Sequence, residues 1–146
     1  MSIKTITINR KAGFEYHLTD KYEAGIVLKG SEIKSIREGK VNIKGSYIKF
    51  IDNELYVVGM HIGDYSHSDT LTHENIADRK LLLHRKEINT IGEMITQKGK
   101  TLIPMSLYLK KDFVIAQMSL AELLENEGKF LLANNLYSKR MKLIVN

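Results

Sequence analysis

Cysteine is absent from the 146 residues, and proline occurs once. Without thiols there is neither a disulfide framework nor thiolate-bound zinc. Pro104 has no N–H for a sheet ladder, so it is expected at a strand edge, a strand end or a bulge. No apolar run approaches the roughly 20 residues that a membrane-crossing helix requires. The opening MSIKTITINRK has no apolar signal core and no small-residue cleavage site, and a cytoplasmic chain is expected. Aromatic residues make up 8%, few for a barrel that grips single strands by stacking. No internal repeat, linker or low-complexity segment stands out. Neither does a nucleophile–base–acid trio or a glycine-rich phosphate loop, so the chain is read as a non-enzyme without cofactors.

What remains is an ordinary globular composition, 43% hydrophobic and 27% charged, with length enough for one core. Its charge is polarised. Residues 1–50 hold ten Lys or Arg against five Asp or Glu, and the balance beyond is neutral, so the net charge of +5 sits in the first third. A polyanion partner fits that asymmetry, and so does a solvated lysine-rich surface.

The stretch YEAGIVLKGSEIKSIREGKVNIKGSY (22–47) is the most informative. Ala24 to Leu28 reads as a buried strand, Ser31 as the cap of a two-turn helix, and Gly39 as its stop. Ile33 and Ile36 would pin that helix, leaving Lys34 and Arg37 outward, with Lys40 and Lys44 nearby. Ahead of it lie a β-leaning arm (3–8) and a half-buried strand over Phe14 to Leu18, separated from the next by a turn or bulge at Thr19–Lys21. Tyr47–Ile51 and Leu55–Met60 predict a hairpin, and 102–109 with 114–120 a second. Leu81, His84, Ile88, Ile91 and Ile95 space out a helix over Arg79–Lys98, with Asp78 and Gly99 at its ends. Residues 121–136 lean helical around Gly128. Short strands with inserted helices predict a mainly β, small antiparallel barrel over 1–120 and a partly helical tail over 121–146.

Taken as chemistry, Asn9, Arg10 and Lys11 combine an amide with two cations, suited to ribose or base edges and phosphates, or to a plain polar connection. Glu23 interrupts a strand, either to accept from base N–H groups or to form a structural ion pair. His61, Asp64, His67, Asp69 and His73 invite a metal-dependent hydrolase, but their spacing fits no motif with a mechanism and a surface loop is preferred. Tyr65 either stacks on a base or anchors that loop.

Several phrases, in order, resemble the SsrA-binding protein (SmpB) family. They are Tyr22-Glu23-Ala24-Gly25, Gly30-Ser31-Glu32-Ile33-Lys34-Ser35, Arg37, Gly39-Lys40-Val41-Asn42, Ser46-Tyr47, His61-Ile62-x-x-Tyr65, Arg79-Lys80-Leu81-Leu82-Leu83-His84, and Lys98-Gly99-x-Thr101-Leu102-Ile103-Pro104. The resemblance implies an OB-like barrel that binds the tRNA-like domain of transfer-messenger RNA (tmRNA). It further implies help in delivering that RNA to stalled ribosomes for peptide tagging. The implied partners are tmRNA, ribosomal RNA near the decoding and tRNA sites, and elongation factor Tu through the tmRNA complex, with neither DNA nor membrane. It points to Asn9, Arg10, Lys11, Glu23, Lys34, Arg37, Lys40, Asn42, Tyr65, Arg79 and Lys80 as RNA contacts, the last pair from a helix N-terminus. Lys129, Lys139 and Arg140 weakly echo the family's ribosome-contacting tail, although residues 112–146 carry no net positive charge. The alternative is another RNA-binding barrel, for ribosomal or single-stranded RNA.

Overall fold

Period-two alternation builds most of the molecule. Along β9 (Phe113–Leu123), Val114, Ala116 and Met118 are buried while Gln117 between them is exposed, the pattern of a strand with one face on a core and one on solvent. The structure is a computed structural model that describes residues 3–66 and 73–123. In chain order it comprises β1 (Ile3–Ile8), α1 (Ala12–Glu15), β2 (Tyr16–Ile26), α2 (Gly30–Arg37), β3 (Val41–Asn42), β4 (Tyr47–Ile51), β5 (Glu54–Val58), β6 (His61–Ile62), β7 (Arg79–Leu82), α3 (Arg85–Thr96), β8 (Thr101–Lys110) and β9.

Strands β8, β4, β5, β7, β2 and β9 pair antiparallel in that order, and β9 pairs back onto β8, closing an OB-like barrel. One flank of β8 is shared: Leu102 pairs with Ile48 of β4, and Ser106–Lys110 with β1. Pro104 falls between those halves, at a register shift against β9, where a missing N–H costs the ladder little. The turn Asp52–Asn53 has positive φ at both residues (50° and 63°), the two-residue turn whose twist matches a hairpin. The interior is filled by Ile36, Ile48, Leu55, Leu81, Leu107 and Leu120, all under 3% exposed; each such side chain contributes about 1.5–3 kcal/mol by leaving water.

Three sequence expectations are revised. Phe14, expected in a half-buried strand, belongs to α1 and is 82% exposed, while of the two readings of Thr19–Lys21 the bulge holds, inside one strand, β2. Lys29, not Ser31, occupies the N-cap of α2, and Glu32 closes the cap by accepting from the Lys29 N–H at 2.8 Å. The helix over 79–98 is a strand followed by a shorter helix. Arg79–Leu82 pairs with β2 and β5, filling a gap the barrel must close, and this overrides a helical spacing that a Leu-Leu-Leu run also satisfies. His84, rather than Asp78, is the N-cap of α3, and Glu87 accepts from its N–H at 3.3 Å. Gly92 of α3 sits against Phe50 of β4; a Cβ there would lie 2.7 Å from the ring, so the glycine sets how closely helix and barrel pack.

Strand β9 continues to Leu123, into the segment expected to lean helical. Lys129, Lys139 and Arg140 lie outside the described residues, as do His67 and Asp69. Among the described residues, no helix is long and apolar enough to cross a membrane.

Candidate nucleic-acid interface

Helix α2 has two faces with different jobs. Inward, Ile36 is fully buried and Glu32 is 5% exposed. Glu32 Oε2 accepts from Arg79 Nε at 2.7 Å, with the two side chains 6% and 3% exposed. The remaining Arg79 N–H groups donate to the carbonyl oxygens of Met60 (2.8 Å), Ala77 (3.2 Å), Glu74 (3.0 Å) and Asn75 (3.3 Å). A guanidinium has five N–H donors, and all of these are satisfied internally. Arg79, expected at an RNA-facing helix N-terminus, is therefore a buried pin on a strand.

The outer face of α2 carries Lys34 and Arg37. Lys34 Nζ lies 5.4 Å from the centre of the Tyr65 ring, a cation–π contact. Arg37 Nη2 donates to Asp112 Oδ1 at 3.0 Å, in the β8–β9 turn, where Asp112 is 91% exposed. Lys40 Nζ is 3.4 Å from Glu38 Oε1 and donates to the Asp64 carbonyl at 3.3 Å. Ser66 donates from its hydroxyl to Glu38 at 2.7 Å; this bond first, and Lys40 after it, hold the Glu38 carboxyl below its ordinary range. Asn42 is exposed, its side-chain oxygen accepting from the Lys44 N–H at 2.8 Å. Lys34, Arg37, Lys40 and Tyr65 thus come together around α2. Exposed pairs of this kind contribute only about 0–1 kcal/mol, so a phosphate can replace their acidic partners.

The other predicted residues lie elsewhere. Asn9 is 7% exposed; its amide donates to the Pro104 carbonyl at 3.2 Å and its N–H to Met105 at 2.7 Å, tying β1 to the β8 bulge. Arg10 and Lys11 are exposed, Lys11 lying 4.0 Å from Glu15. Lys11 and Lys44 line a hollow of about 300 Å³ with Asn9, Tyr16 and Tyr47. On β7, Lys80 is 3.9 Å from Glu54, which also accepts from Arg85 at 2.6 Å. His73 is buried, its Nδ1 2.8 Å from Ser31 Oγ and its Nε2 near the carbonyls of Ile62 and Gly63. It fastens α2 to β6. Among the described residues, no three His, Asp or Glu side chains are grouped to hold a metal.

Glu23 points outward from β2. Its Oε1 accepts from the Tyr108 hydroxyl at 3.0 Å and its Oε2 from Gln117 Nε2 at 2.9 Å, while Ser106 donates to Gln117 Oε1 at 2.8 Å. Burial first, then the Glu23 carboxylate, raises the Tyr108 hydroxyl above its usual range. Glu23 also borders a hollow of about 420 Å³ with Leu82, Leu83, His84 and Glu87. Sequence reading missed Tyr108, Gln117, Ser106 and Leu82. Alternation marks Gln117 as outward, but only the cross-strand register, Glu23 opposite Gln117 and Gln117 opposite Ser106, reveals the chain of bonds.

Comparison with known proteins gives concordant findings. A family model described as SmpB protein matches residues 6–142. The SsrA-binding protein of Dehalococcoides mccartyi is 48% identical over 116 residues, 80% of this chain and 67% of the relative. That of Thermoanaerobacter pseudethanolicus is 46% identical over 119 residues, 82% of this chain and 76% of the relative. A solved structure described as "tmRNA-SmpB: a journey to the center of the bacterial ribosome" superposes with a TM-score of 0.68 at 34% identity, covering 92% of each chain.

Proposed function

The chain belongs to the SmpB protein family, and from that membership we propose that it binds the tRNA-like domain of tmRNA and helps bring it to stalled ribosomes. The observation that carries this is the breadth of the match, 92% of each chain against a ribosome-associated tmRNA–SmpB structure. The protein acts as an RNA-binding factor rather than a catalyst, in the cytoplasm where ribosomes work, and meets elongation factor Tu through the shared RNA.

In this reading the barrel, which β9 carries on to Leu123, recognises the RNA. Lys34, Arg37 and Lys40 take phosphates, as do Arg10, Lys11 and Lys80 from neighbouring faces; Asn42 and Tyr65 offer an amide and a ring beside the first three. Glu23 contacts bases, while Asn9 and Arg79 act by holding the backbone beneath the surface. The residues beyond Leu123, with Lys129, Lys139 and Arg140, form the ribosome-directed tail.

A native-gel titration of the tRNA-like domain, with an ordinary tRNA as competitor at two salt concentrations, tests the proposal. Preferential binding that survives the higher salt supports it. Equal, salt-labile binding of both RNAs would reduce the protein to a generic basic barrel.

A further inference from the structure

The tips of the two hairpins are built differently. In the β4–β5 hairpin the left-handed positions fall to Asp52 and Asn53, residue types that tolerate such a backbone. The β8–β9 tip sets Lys111 there, at a φ of 56°, a conformation uncommon for a long side chain. Strain held at an exposed turn points to a use for the side chain rather than for the fold.

The strand register supplies the surroundings. Ile3 of β1, Lys110 of β8 and Phe113 of β9 stand directly opposite one another across three strands, so their side chains share one face. All three are exposed, Phe113 by 66%, and Phe113 belongs to neither apolar cluster of the interior. Among the described residues neither Lys110 nor Lys111 is ion-paired, and the one acid of the tip, Asp112, is held by Arg37 at 3.0 Å. That bond sets the tip against the cationic end of α2, so the two surfaces are continuous.

Unpaired cations at the tip count against a protein partner, which would have to desolvate them. They suit phosphates, and a free ring suits the face of a base, the combination by which proteins hold single-stranded RNA. Resting on the function proposed above, we propose that the β8–β9 hairpin tip is a second arm of the RNA interface. One unpaired base stacks on Phe113, while Lys110 and Lys111 take the phosphates on either side of it. Asp112 is a positioning residue, fixing the tip beside α2 through Arg37.

The test titrates the full chain and its variants with the tRNA-like domain over a range of salt concentrations, with a fully paired RNA duplex as a second ligand. Phe113→Leu keeps an apolar side chain and removes the ring. It is expected to weaken binding of the tRNA-like domain about tenfold, the scale of one stacked base. The salt slope and the duplex affinity should not change, because the ring carries no charge and a paired base is not free to stack. Phe113→Tyr should restore binding. Lys111→Asn removes the charge and relieves the backbone, so the thermal midpoint should hold or rise. Affinity should nevertheless fall about threefold, with the salt slope shallower by about 0.7–0.9, the change for one phosphate contact. Binding of the tRNA-like domain that is indifferent to Phe113→Leu and Lys111→Asn overturns this inference alone. So does an equal loss with the duplex, which would leave no base to be stacked. Weaker ribosome association with intact binding of the tRNA-like domain would also overturn it, assigning the tip to a ribosomal component. Failure of the unmodified chain to bind the tRNA-like domain would remove the functional reading as well.

Discussion

Arg79 and Arg37 lie on opposite sides of α2, and both occur in phrases that suggest RNA contact, yet their surroundings give them opposite roles. Arg79 is 4% exposed and satisfies Glu32 and four backbone carbonyls. The side chain of Arg37 is 46% exposed, and its carboxylate partner almost wholly so. Burial removes water as a competing partner, so the first pair has nothing to exchange with. The second is solvated, and a phosphate is as good a partner as Asp112. An arginine's charge does not make it a contact; the strand or helix that carries it does.

The largest expected effect comes from breaking the buried side. Arg79→Met leaves Glu32 uncompensated in the core and strips partners from the carbonyls of Met60, Glu74, Asn75 and Ala77. A loss of about 3–5 kcal/mol in urea unfolding is expected, the cost of orphaning one member of a buried pair. Adding Glu32→Met should recover part of it, because no buried charge then remains. A loss below about 1 kcal/mol would show that water reaches the pair and that the two regions do not differ in kind.

This contrast also marks what the sequence could disclose. The hairpins, the bulge-tolerant place of Pro104 and the short helix after Gly30 were legible, because turn chemistry and alternation are local. The interior of α3 was legible from Ile88 and Ile91. Its start was not, because Arg79–Leu82 becomes strand only through pairing with β2 and β5, partners about 20–55 residues away in sequence. For the same reason Arg79 read as a surface cation, and Glu23 as a lone acid rather than one member of a bonded row across β2, β9 and β8. The cations around α2 were legible as a group because Lys34, Arg37 and Lys40 are close in sequence; Tyr65 joins them only in the fold.

A smaller effect on stability, but a clear one on binding, is expected from the exposed side. Lys34→Glu with Arg37→Glu should leave the unfolding midpoint nearly unchanged, since exposed pairs contribute about 0–1 kcal/mol. Affinity for the tRNA-like domain should fall by about ten- to a hundredfold at low salt. The slope of log affinity against log salt should become shallower by about two, one for each phosphate released. Unchanged affinity would remove the outer face of α2 from the interface.

The smallest effect probes how loosely that exposed side is tied. Glu38 connects the end of α2 to Ser66, and its carboxyl is held below the ordinary range chiefly because Ser66 donates to the ionised form. A lowered carboxyl in the folded protein means the tie is complete above the unfolded glutamate value and is lost as pH falls through the folded one. The Ser66 amide, which also donates to Glu38, reports this directly by NMR. Its shift should stay constant from neutral pH through mild acid and titrate with a midpoint below that of an ordinary glutamate. Ser66→Ala should raise the Glu38 midpoint, followed at the Glu38 side chain, by removing the largest cause of the shift, without altering the overall unfolding midpoint. If the Glu38 midpoint were the same with and without the Ser66 hydroxyl, the tie would be no more than contact between two exposed groups. The α2 side would then hold its cations by chain geometry alone, sharpening the contrast with the buried pin.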